Sequence, residues 1–246
     1  MCPADCVYPV RVALSADEKR RLLANVELFS GLSPKEIDAI VPVAQRKELG
    51  RKEELFHKGD EGTQVYIVIS GKLKALTTSE AGDDVVFSIL GPGEVIGEVA
   101  LMGGTPRTAS IMAIDACELL VINRRDFMAF LKDHPEVSVK LLYVLAQRLK
   151  RVSELVEDTL FLNLPLRFAK KLSALARAYG ERTETGVRVD LKLSQEEWGD
   201  LVGATRESIN KQMRAWTEAG IVSVEKGYIV IHNPHELEKL AAGVLL

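Results

Sequence analysis

Residues 97–109 read GEVALMGGTPRTA, and they constrain both the fold and the chemistry of this chain. Glycines and alanines let a backbone approach a ligand closely and turn its N–H groups toward an anion. Arg107 carries a planar guanidinium that matches two oxygens of one phosphate, and Glu98 can accept a hydrogen bond from a sugar hydroxyl. The pattern predicts a pocket for a sugar phosphate. The alternative interpretation is a surface Glu–Arg pair on a glycine-rich loop.

The sequence around this stretch, from about residue 50 to 122, alternates short apolar runs with glycine turns. The runs are rich in β-branched residues, and turn signals such as Lys58-Gly59-Asp60 separate them. Many short strands at this spacing are typical of a small antiparallel barrel or jelly roll. Residues 16–45, which include the capping box Ser33-Pro34-Lys35-Glu36, are predicted to be helical. Strands are predicted at Val65–Ile69, Leu73–Leu76, Val85–Leu90, Ala109–Ile114 and Glu118–Ile122.

The apolar period changes after the strand region. Asn123 starts a short helix that ends at His134, and Pro135 opens a much longer one. In the long helix a stripe of residues recurs at alternating spacings of 4 and 3, a period that favours two helices winding around each other. The stripe predicts a homodimer, and the alternative is a helix packed within its own chain. Its members are Ser138, Leu142, Leu145, Leu149, Val152, Val156 and Thr159.

The motif Leu162-Asn163-Leu164-Pro165 interrupts the long helix, because proline does not continue a helix without a kink. We therefore divide the chain into a strand-rich domain over residues 1–134, a dimerisation helix over 135–161 and a second domain over 162–246.

The second domain contains two helices separated by a glycine turn. A capping box starts the first helix at Ser194, and Gly203 ends it. Thr205 can cap the second helix, whose apolar face carries Ile209, Met213 and Trp216. This is the helix-turn-helix plan, followed by a hairpin over residues 221–231 that would form the wing. The residues predicted to face DNA are Ser194, Gln195, Thr205, Arg206, Glu207, Ser208, Asn210 and Lys211.

Composition excludes several classes of protein. The chain has 246 residues, of which 47% are hydrophobic and 27% charged, with a net charge of −3, as expected of a folded globular protein. No uncharged run comes near the roughly 18 residues of a membrane span, and no signal peptide is evident. Cys2, Cys6 and Cys117 make an odd number, which fits a reducing cytoplasm.

Taken together, the two motifs and the order of parts identify a resemblance. Residues 97–109 resemble the phosphate-binding cassette of cyclic-nucleotide-binding domains. The order of jelly roll, dimer helix and winged helix-turn-helix resembles the catabolite activator/fumarate-nitrate regulator family of transcription factors. The fold class expected is therefore α+β. The resemblance implies a cytoplasmic homodimer that binds a cyclic nucleotide, palindromic double-stranded DNA and RNA polymerase, with no metal and no membrane partner.

The resemblance also implies roles for individual residues. Glu98 would hold the ribose 2′-hydroxyl and Arg107 the cyclic phosphate, with help from backbone N–H groups of Gly97, Glu98 and Thr108. Thr108 would sit beside the base, and Ser153 would reach the base of the other protomer. Arg206, Glu207 and Lys211 would read DNA. The full set of expected ligand-binding residues is Ile96, Gly97, Glu98, Val99, Ala100, Arg107, Thr108, Ala109, Val152 and Ser153.

Two departures from the family pattern bear on specificity. Members that use cyclic AMP often carry two adjacent hydroxyls on the long helix, whereas this chain has Val152 followed by Ser153. A threonine directly after the arginine, as Thr108 is here, also resembles cyclic GMP sites. The choice between cyclic AMP and cyclic GMP therefore stays open. At the last DNA-reading position this chain has Lys211, where the best-known family member has an arginine. Lysine keeps the positive charge but cannot donate two parallel hydrogen bonds as a guanidinium does.

Other functions remain as alternatives. Other branches of the family sense redox state through an iron–sulfur cluster, but four thiolates are normally needed and the chain has three cysteines. A ligand-independent regulator of the same family is a second alternative. The histidines lie outside the predicted pocket, which disfavours a haem sensor, and no catalytic triad or Walker-type loop suggests an enzyme. A kinase regulatory subunit would share the cassette without the helix-turn-helix.

Overall fold

The computed structural model describes residues 14–243. It begins with two helices, α1 (Ala16–Ala24) and α2 (Pro34–Ile40), each started by a capping box, at Ser15 and Ser33 respectively. Short 3-10 turns follow both helices, at Glu27–Phe29 and Val41–Val43. The helical prediction for 16–45 therefore holds only in part, because turns interrupt it and residue 45 already begins a strand.

Eight strands within the described residues form two four-stranded antiparallel sheets, with orders β1-β8-β3-β6 and β2-β7-β4-β5. The predicted jelly-roll arrangement of short strands is confirmed. Prediction missed β1, β2 and β6, which are either charged or only two to three residues long. The bounds are β1 (Gln45–Leu49), β2 (Glu54–Phe56), β3 (Gln64–Ser70), β4 (Leu73–Thr78), β5 (Asp84–Leu90), β6 (Val95–Ile96), β7 (Ser110–Ala113) and β8 (Cys117–Asn123).

Strand β3 shows how the roll is buried on two sides. Val65 and Ile67 pack outward against the N-terminal helices, whereas Tyr66 and Val68 face the space between the sheets. Alternate side chains of a strand point to opposite faces, so both faces of this sheet are covered. A short helix, α3 (Glu98–Gly103), follows β6 and belongs to the residue 97–109 stretch.

After the roll come α4 (Arg124–Asp133) and the long helix α5 (Pro135–Phe161). The predicted helix from Pro135 is confirmed. Val137 and Leu141 are buried against the roll, but much of the remaining apolar surface of α5 is exposed. The exposed apolar side chains, 45–80% accessible, are Val139, Leu142, Tyr143, Leu149, Val152, Val156, Leu160 and Phe161.

The C-terminal part consists of helices around a small sheet of order β11-β12-β10-β9. The helix-turn-helix and the wing hairpin are confirmed, whereas β9, β10 and the last helix were not predicted. The elements are α6 (Leu164–Tyr179), β9 (Gly180–Thr183), β10 (Gly186–Val189), α7 (Gln195–Val202), α8 (Arg206–Glu218), β11 (Val222–Glu225), β12 (Tyr228–Ile231) and α9 (Pro234–Ala241).

The C-terminal part lies against the outer face of the β2-β7-β4-β5 sheet. Leu76 and Val86 of that sheet share one hydrophobic cluster with Trp198 and Val202 of α7. Two lysines of or next to β4 add ion pairs across the contact, Lys72 with Asp190 at 2.9 Å and Lys74 with Glu197 at 3.4 Å. Between residues 14 and 243, no helix is both long enough and apolar enough to cross a bilayer.

Candidate functional site

A cavity of about 200 Å³ lies between the roll and helix α5. The stretch 97–109 forms one side of it, strand β5 contributes Phe87 and Ser88, and α5 closes it from the opposite side. The structure thus brings together predicted ligand-binding residues from the segment 96–109 and from the long helix. Those that line the cavity are Ile96, Gly97, Glu98, Val99, Ala100, Arg107, Thr108, Ala109 and Val152.

Gly97 is required by the geometry of the cavity wall. Its φ is +87°, in the left-handed region that favours glycine. A Cβ atom at this position would lie 2.2 Å from Nη1 of Arg107 and 3.1 Å from the carbonyl oxygen of Gln64. The missing side chain therefore allows the Arg107 guanidinium to lie directly against the start of α3.

Arg107 is buried, with 4% of its surface exposed. Its Nη1 donates to the carbonyl oxygen of Gly97 at 3.0 Å and its Nη2 to that of Gln64 at 2.7 Å, while the guanidinium stacks over the Phe56 ring at 4.1 Å. Burial lowers the pKa of Arg107, although an arginine keeps its charge at neutral pH. Within the described residues no carboxylate forms a salt bridge with Arg107. The positive charge therefore faces the cavity without an anionic partner in contact.

Glu98 is fully buried at the start of α3. Its Oε1 accepts a hydrogen bond from Nη1 of Arg148 on α5, and within residues 14–243 its Oε2 has no hydrogen-bond partner. The interpretation of a surface Glu–Arg pair is therefore wrong, because both residues are buried and Glu98 pairs with Arg148 instead of Arg107. An unsatisfied buried carboxylate oxygen is costly, and a hydroxyl placed in the cavity could satisfy it.

Sequence reasoning missed Arg148 and Arg151, which both line the cavity from α5. Arg148 also donates to the carbonyl oxygen of Val95 and lies 3.6 Å from Glu94, while Arg151 lies 4.0 Å from the same carboxylate. Burial raises the pKa of Glu94, and the two arginines oppose that shift. Their spacing could have indicated this position. Arg148 directly precedes Leu149 and Arg151 directly precedes Val152, so both arginines lie next to the apolar stripe on the helix surface.

Ser153 is the one predicted ligand-binding residue that does not line this cavity in its own chain. It is exposed on α5, and its Oγ donates to the carbonyl oxygen of Leu149 at 3.1 Å. Its expected contact with the other protomer's ligand stays a prediction. Val152, one residue earlier, presents its methyl groups to the cavity and offers no hydrogen bond.

The helix-turn-helix presents a second candidate site. Ser194 and Thr205 cap α7 and α8 by accepting bonds from the backbone N–H groups of Glu197 and Ser208, each at 3.2 Å. Gly203, at φ +71°, makes the turn between the helices. The hydroxyls predicted to face DNA are thus already used in the caps, and Thr205 Oγ1 also bonds Ser208 Oγ at 2.9 Å.

The polar face of α8 is open to solvent. Arg206, Glu207 and Lys211 are exposed, and across residues 14–243 none of the three has a hydrogen-bond or ion-pair partner. Asn210 accepts a bond from Nε2 of Gln195 at 3.3 Å, which fixes the two polar side chains together. The predicted core side chains on the opposite face are buried, namely Ile209, Met213 and Trp216. The helix therefore carries free charged groups on its exposed side only.

Cys117, the histidines and a possible group of metal ligands lie outside both candidate sites. Cys117 is a buried free thiol as expected, and burial, with Asp115 nearby, raises its pKa to about 11. Cys2 and Cys6 lie outside the described residues. None of the histidines lines the cavity. Among the described residues, a grouping with possible metal-ligand spacing is Glu36, His134 and Glu136, which lies away from the cavity on the N-terminal helices and the start of α5.

Comparison with known proteins connects both sites to one family. The model of the cyclic nucleotide-binding domain matches residues 46–134, and that of the Crp-like helix-turn-helix domain matches residues 166–240. The CRP-like cAMP-activated global transcriptional regulator of Mycobacterium tuberculosis is 33% identical over 220 residues, which cover 89% of this chain and 98% of that protein. The chain belongs to the CRP family of transcriptional regulators.

Further similarities agree with this CRP-family assignment. The Cyclic AMP receptor protein of Thermus thermophilus is 31% identical over 217 residues, covering 88% of this chain and 97% of that protein. In fold, the chain is similar to the c-di-GMP responsive regulator CLP of Xanthomonas campestris, with a TM-score of 0.73 and 21% identity over 81% of this chain and 99% of that one. The predicted family, the α+β fold class and a DNA-binding regulator rather than an enzyme are confirmed.

Proposed function

We propose that this CRP-family chain works as a homodimer whose affinity for a palindromic DNA operator is controlled by a cyclic mononucleotide bound in the cavity beside α5. The observation that carries the proposal is that two buried groups at one cavity lack partners within residues 14–243. The Arg107 guanidinium has no salt bridge and its Nε has no acceptor, and Oε2 of Glu98 has no donor. A cyclic nucleotide supplies both missing partners, a phosphodiester anion and a ribose hydroxyl.

Arg107 would donate to the cyclic phosphate, in place of or beside its present bonds to the Gly97 and Gln64 carbonyls. Backbone N–H groups of Gly97, Glu98 and Thr108 would assist. Glu98 would accept the 2′-hydroxyl on Oε2, while Oε1 remains bonded to Arg148. The same carboxylate then contacts both the ligand and the long helix, which gives the ligand a direct connection to α5.

The exposed apolar face of α5 supports the dimer. Side chains such as Leu142, Leu149 and Val156 are more than half exposed within one chain, and contiguous apolar patches of this kind mark interaction surfaces. Pairing two copies of α5 would cover the stripe and would bring the partner's α5, with its copy of the Ser153 position, close to the cavity. A ligand that contacts both copies of α5 can favour one packing of the helix pair. That packing would in turn favour the arrangement of the two α8 helices that fits the operator.

Recognition of DNA would rest on the free groups of α8. Arg206 can donate two bonds to a guanine edge, Glu207 can accept from a cytosine amine, and Lys211 can reach a base or a phosphate. A dimer presents two such helices to two half-sites of a palindrome. We also propose the domain division at 134/135 and 161/162, a cytoplasmic location and contact with RNA polymerase, as expected from the resemblance.

Of the possible effectors, the named relatives support cyclic AMP, since the Mycobacterium and Thermus proteins are described as cAMP-activated and as a cyclic AMP receptor. Val152 offers no acceptor to the adenine amino group, so we expect weak discrimination against cyclic GMP. Calorimetric titration of the purified dimer with cyclic AMP, cyclic GMP and cyclic di-GMP tests this. We expect cyclic AMP to bind at one site per protomer. Absence of binding by both mononucleotides would contradict the proposal and favour a ligand-independent regulator.

Purification without oxygen distinguishes the iron–sulfur alternative from a cyclic-nucleotide-binding regulator. We expect anaerobically purified protein to be colourless and to contain no stoichiometric iron. A brown protein with cluster absorbance would favour redox sensing instead.

A further inference from the structure

The side chain of Arg167 joins two helix ends that belong to different parts of the molecule. Arg167 lies in the first turns of α6, and its guanidinium donates to three main-chain carbonyl oxygens. Nη1 bonds to Leu162 at 3.0 Å, Nε to Val202 at 2.6 Å and Nη2 to Gly203 at 2.9 Å. Each of its three nitrogens thus has a separate acceptor.

The three acceptors lie at helix C-termini. Leu162 is the C-cap residue of α5, whereas Val202 and Gly203 end α7, the first helix of the helix-turn-helix. Carbonyl groups at a helix C-terminus lack partners within the helix and carry partial negative charge, so they attract a cation. Arg167 has no salt bridge to a carboxylate anywhere in residues 14–243. Its charge is therefore balanced by the ends of two helices.

This arrangement does more than cap one helix. The bonds to Val202 and Gly203 alone would satisfy the end of α7, but the bond to Leu162 adds the last carbonyl of the dimer helix. The neighbouring ion pair, Lys170 with Asp158 at 2.6 Å, ties α6 to α5 without reaching α7. With Arg167 in place, a change in direction at the end of α5 must either move the turn before α8 or break one of these bonds.

We propose that Arg167 is a positioning residue that transmits the state of the dimer helix to the DNA-reading helix. The inference rests on the proposed function, because it requires that α5 responds to a ligand. The main chain already connects α5 to α6 through Asn163 and Leu164. The proposal adds a second connection, from α5 to α7, through the guanidinium of Arg167. Lysine at this position would keep the charge but cannot satisfy three separated carbonyls in the same way.

The test compares Arg167→Met and Arg167→Lys with Arg177→Met, a matched control on the same helix. Arg177 is exposed, and in the described part of the chain its one ion pair, with Glu238, is 3.9 Å long. For each variant we measure the affinity for a palindromic duplex selected with the wild-type dimer, with and without saturating cyclic AMP. The ratio of the two affinities reports coupling, which in allosteric proteins is typically about 5- to 150-fold.

We expect Arg177→Met to keep the wild-type ratio, Arg167→Met to lose at least about fivefold of it, and Arg167→Lys to lie between them. A purely structural role would lower the melting temperature and both affinities together and leave the ratio unchanged, and that result would overturn the inference. If Arg167→Met does not fold, Arg167→Lys with a reduced ratio supports the inference and with an unchanged ratio contradicts it. A wild-type ratio of one would instead contradict the proposed gating itself.

Discussion

Replacing Arg107 with methionine removes the charge proposed to bind the cyclic phosphate while keeping an unbranched side chain against Phe56. The Arg107 guanidinium stacks on that ring at 4.1 Å, and the side chain as a whole is buried. Methionine is flexible enough to fill the same space. The change therefore separates the role of the guanidinium from that of the stem.

The expected loss of affinity follows from the burial of Arg107. Removing one partner of a buried ion pair costs about 3–5 kcal/mol, because the other charge is left uncompensated. At about 1.4 kcal/mol per factor of ten, the dissociation constant should rise by roughly two to three and a half orders of magnitude. The effect on folding should be smaller. The carbonyl of Gly97 keeps its bond from the Leu101 N–H, whereas that of Gln64 loses the Arg107 donor at about 1–3 kcal/mol, and removal of a buried charge offsets part of that cost.

Calorimetric titration with cyclic AMP and thermal unfolding measure the two effects on the same preparation. The control is Arg125→Met, since the Arg125 side chain is 92% exposed and pairs only with the adjacent Asp126 in the described structure. We expect the control to match the wild type in both assays. If Arg107→Met bound cyclic AMP with less than about tenfold weakening, the guanidinium would not be in contact with the phosphate, and the reasoning would be refuted.

Three further predictions concern other parts of the chain. Arg206→Ala should weaken binding to the selected operator by about 1–3 kcal/mol and binding to random duplex by less, measured by fluorescence anisotropy; equal losses would make Arg206 a phosphate contact. Burial raises the pKa of Asp200 to about 6 from an ordinary 3.8, so the folded protein binds more protons between these values and its stability should fall as pH rises from about 4 to 6. Asp200→Asn should flatten that slope in urea unfolding, with the raised pKa of Glu94 contributing part of what remains, and a slope unchanged from the wild type would exclude Asp200 as a source. Because burial raises the pKa of Cys117 to about 11, a disulfide reagent should label it slowly until urea unfolds the protein, in a background where Cys2 and Cys6 are serine; rapid labelling of the folded protein would contradict its burial.

Much of the fold could be predicted because its signals are local. The capping boxes at Ser33 and Ser194 mark helix starts in the structure, and the apolar runs became strands. Strand β1 could not be predicted, because Gln45–Leu49 is charged and mostly solvent-facing and is held by its pairing with β8. The same holds for β9, whose four residues are exposed.

The residues of the candidate site could also be predicted only in part. Residues 97–109 form a continuous stretch, so their chemistry could be predicted from their order alone. The partner of Glu98 could not, because Arg148 lies fifty positions away on another element. Spacing within the stretch suggested Arg107, whereas packing of α5 against the roll supplies Arg148. Arg167 was missed for a related reason, since its acceptors are main-chain carbonyls that have no sequence signature.

The central claim is that ligand occupancy of the cavity controls DNA binding, and the most direct measurement is the affinity of the wild-type dimer for its selected operator with and without saturating cyclic nucleotide. The account predicts that the ligand tightens operator binding by about 5- to 150-fold, at constant salt because phosphate contacts make affinity salt-dependent. Equal affinities in the two conditions, with calorimetry showing the cavity occupied, would contradict it.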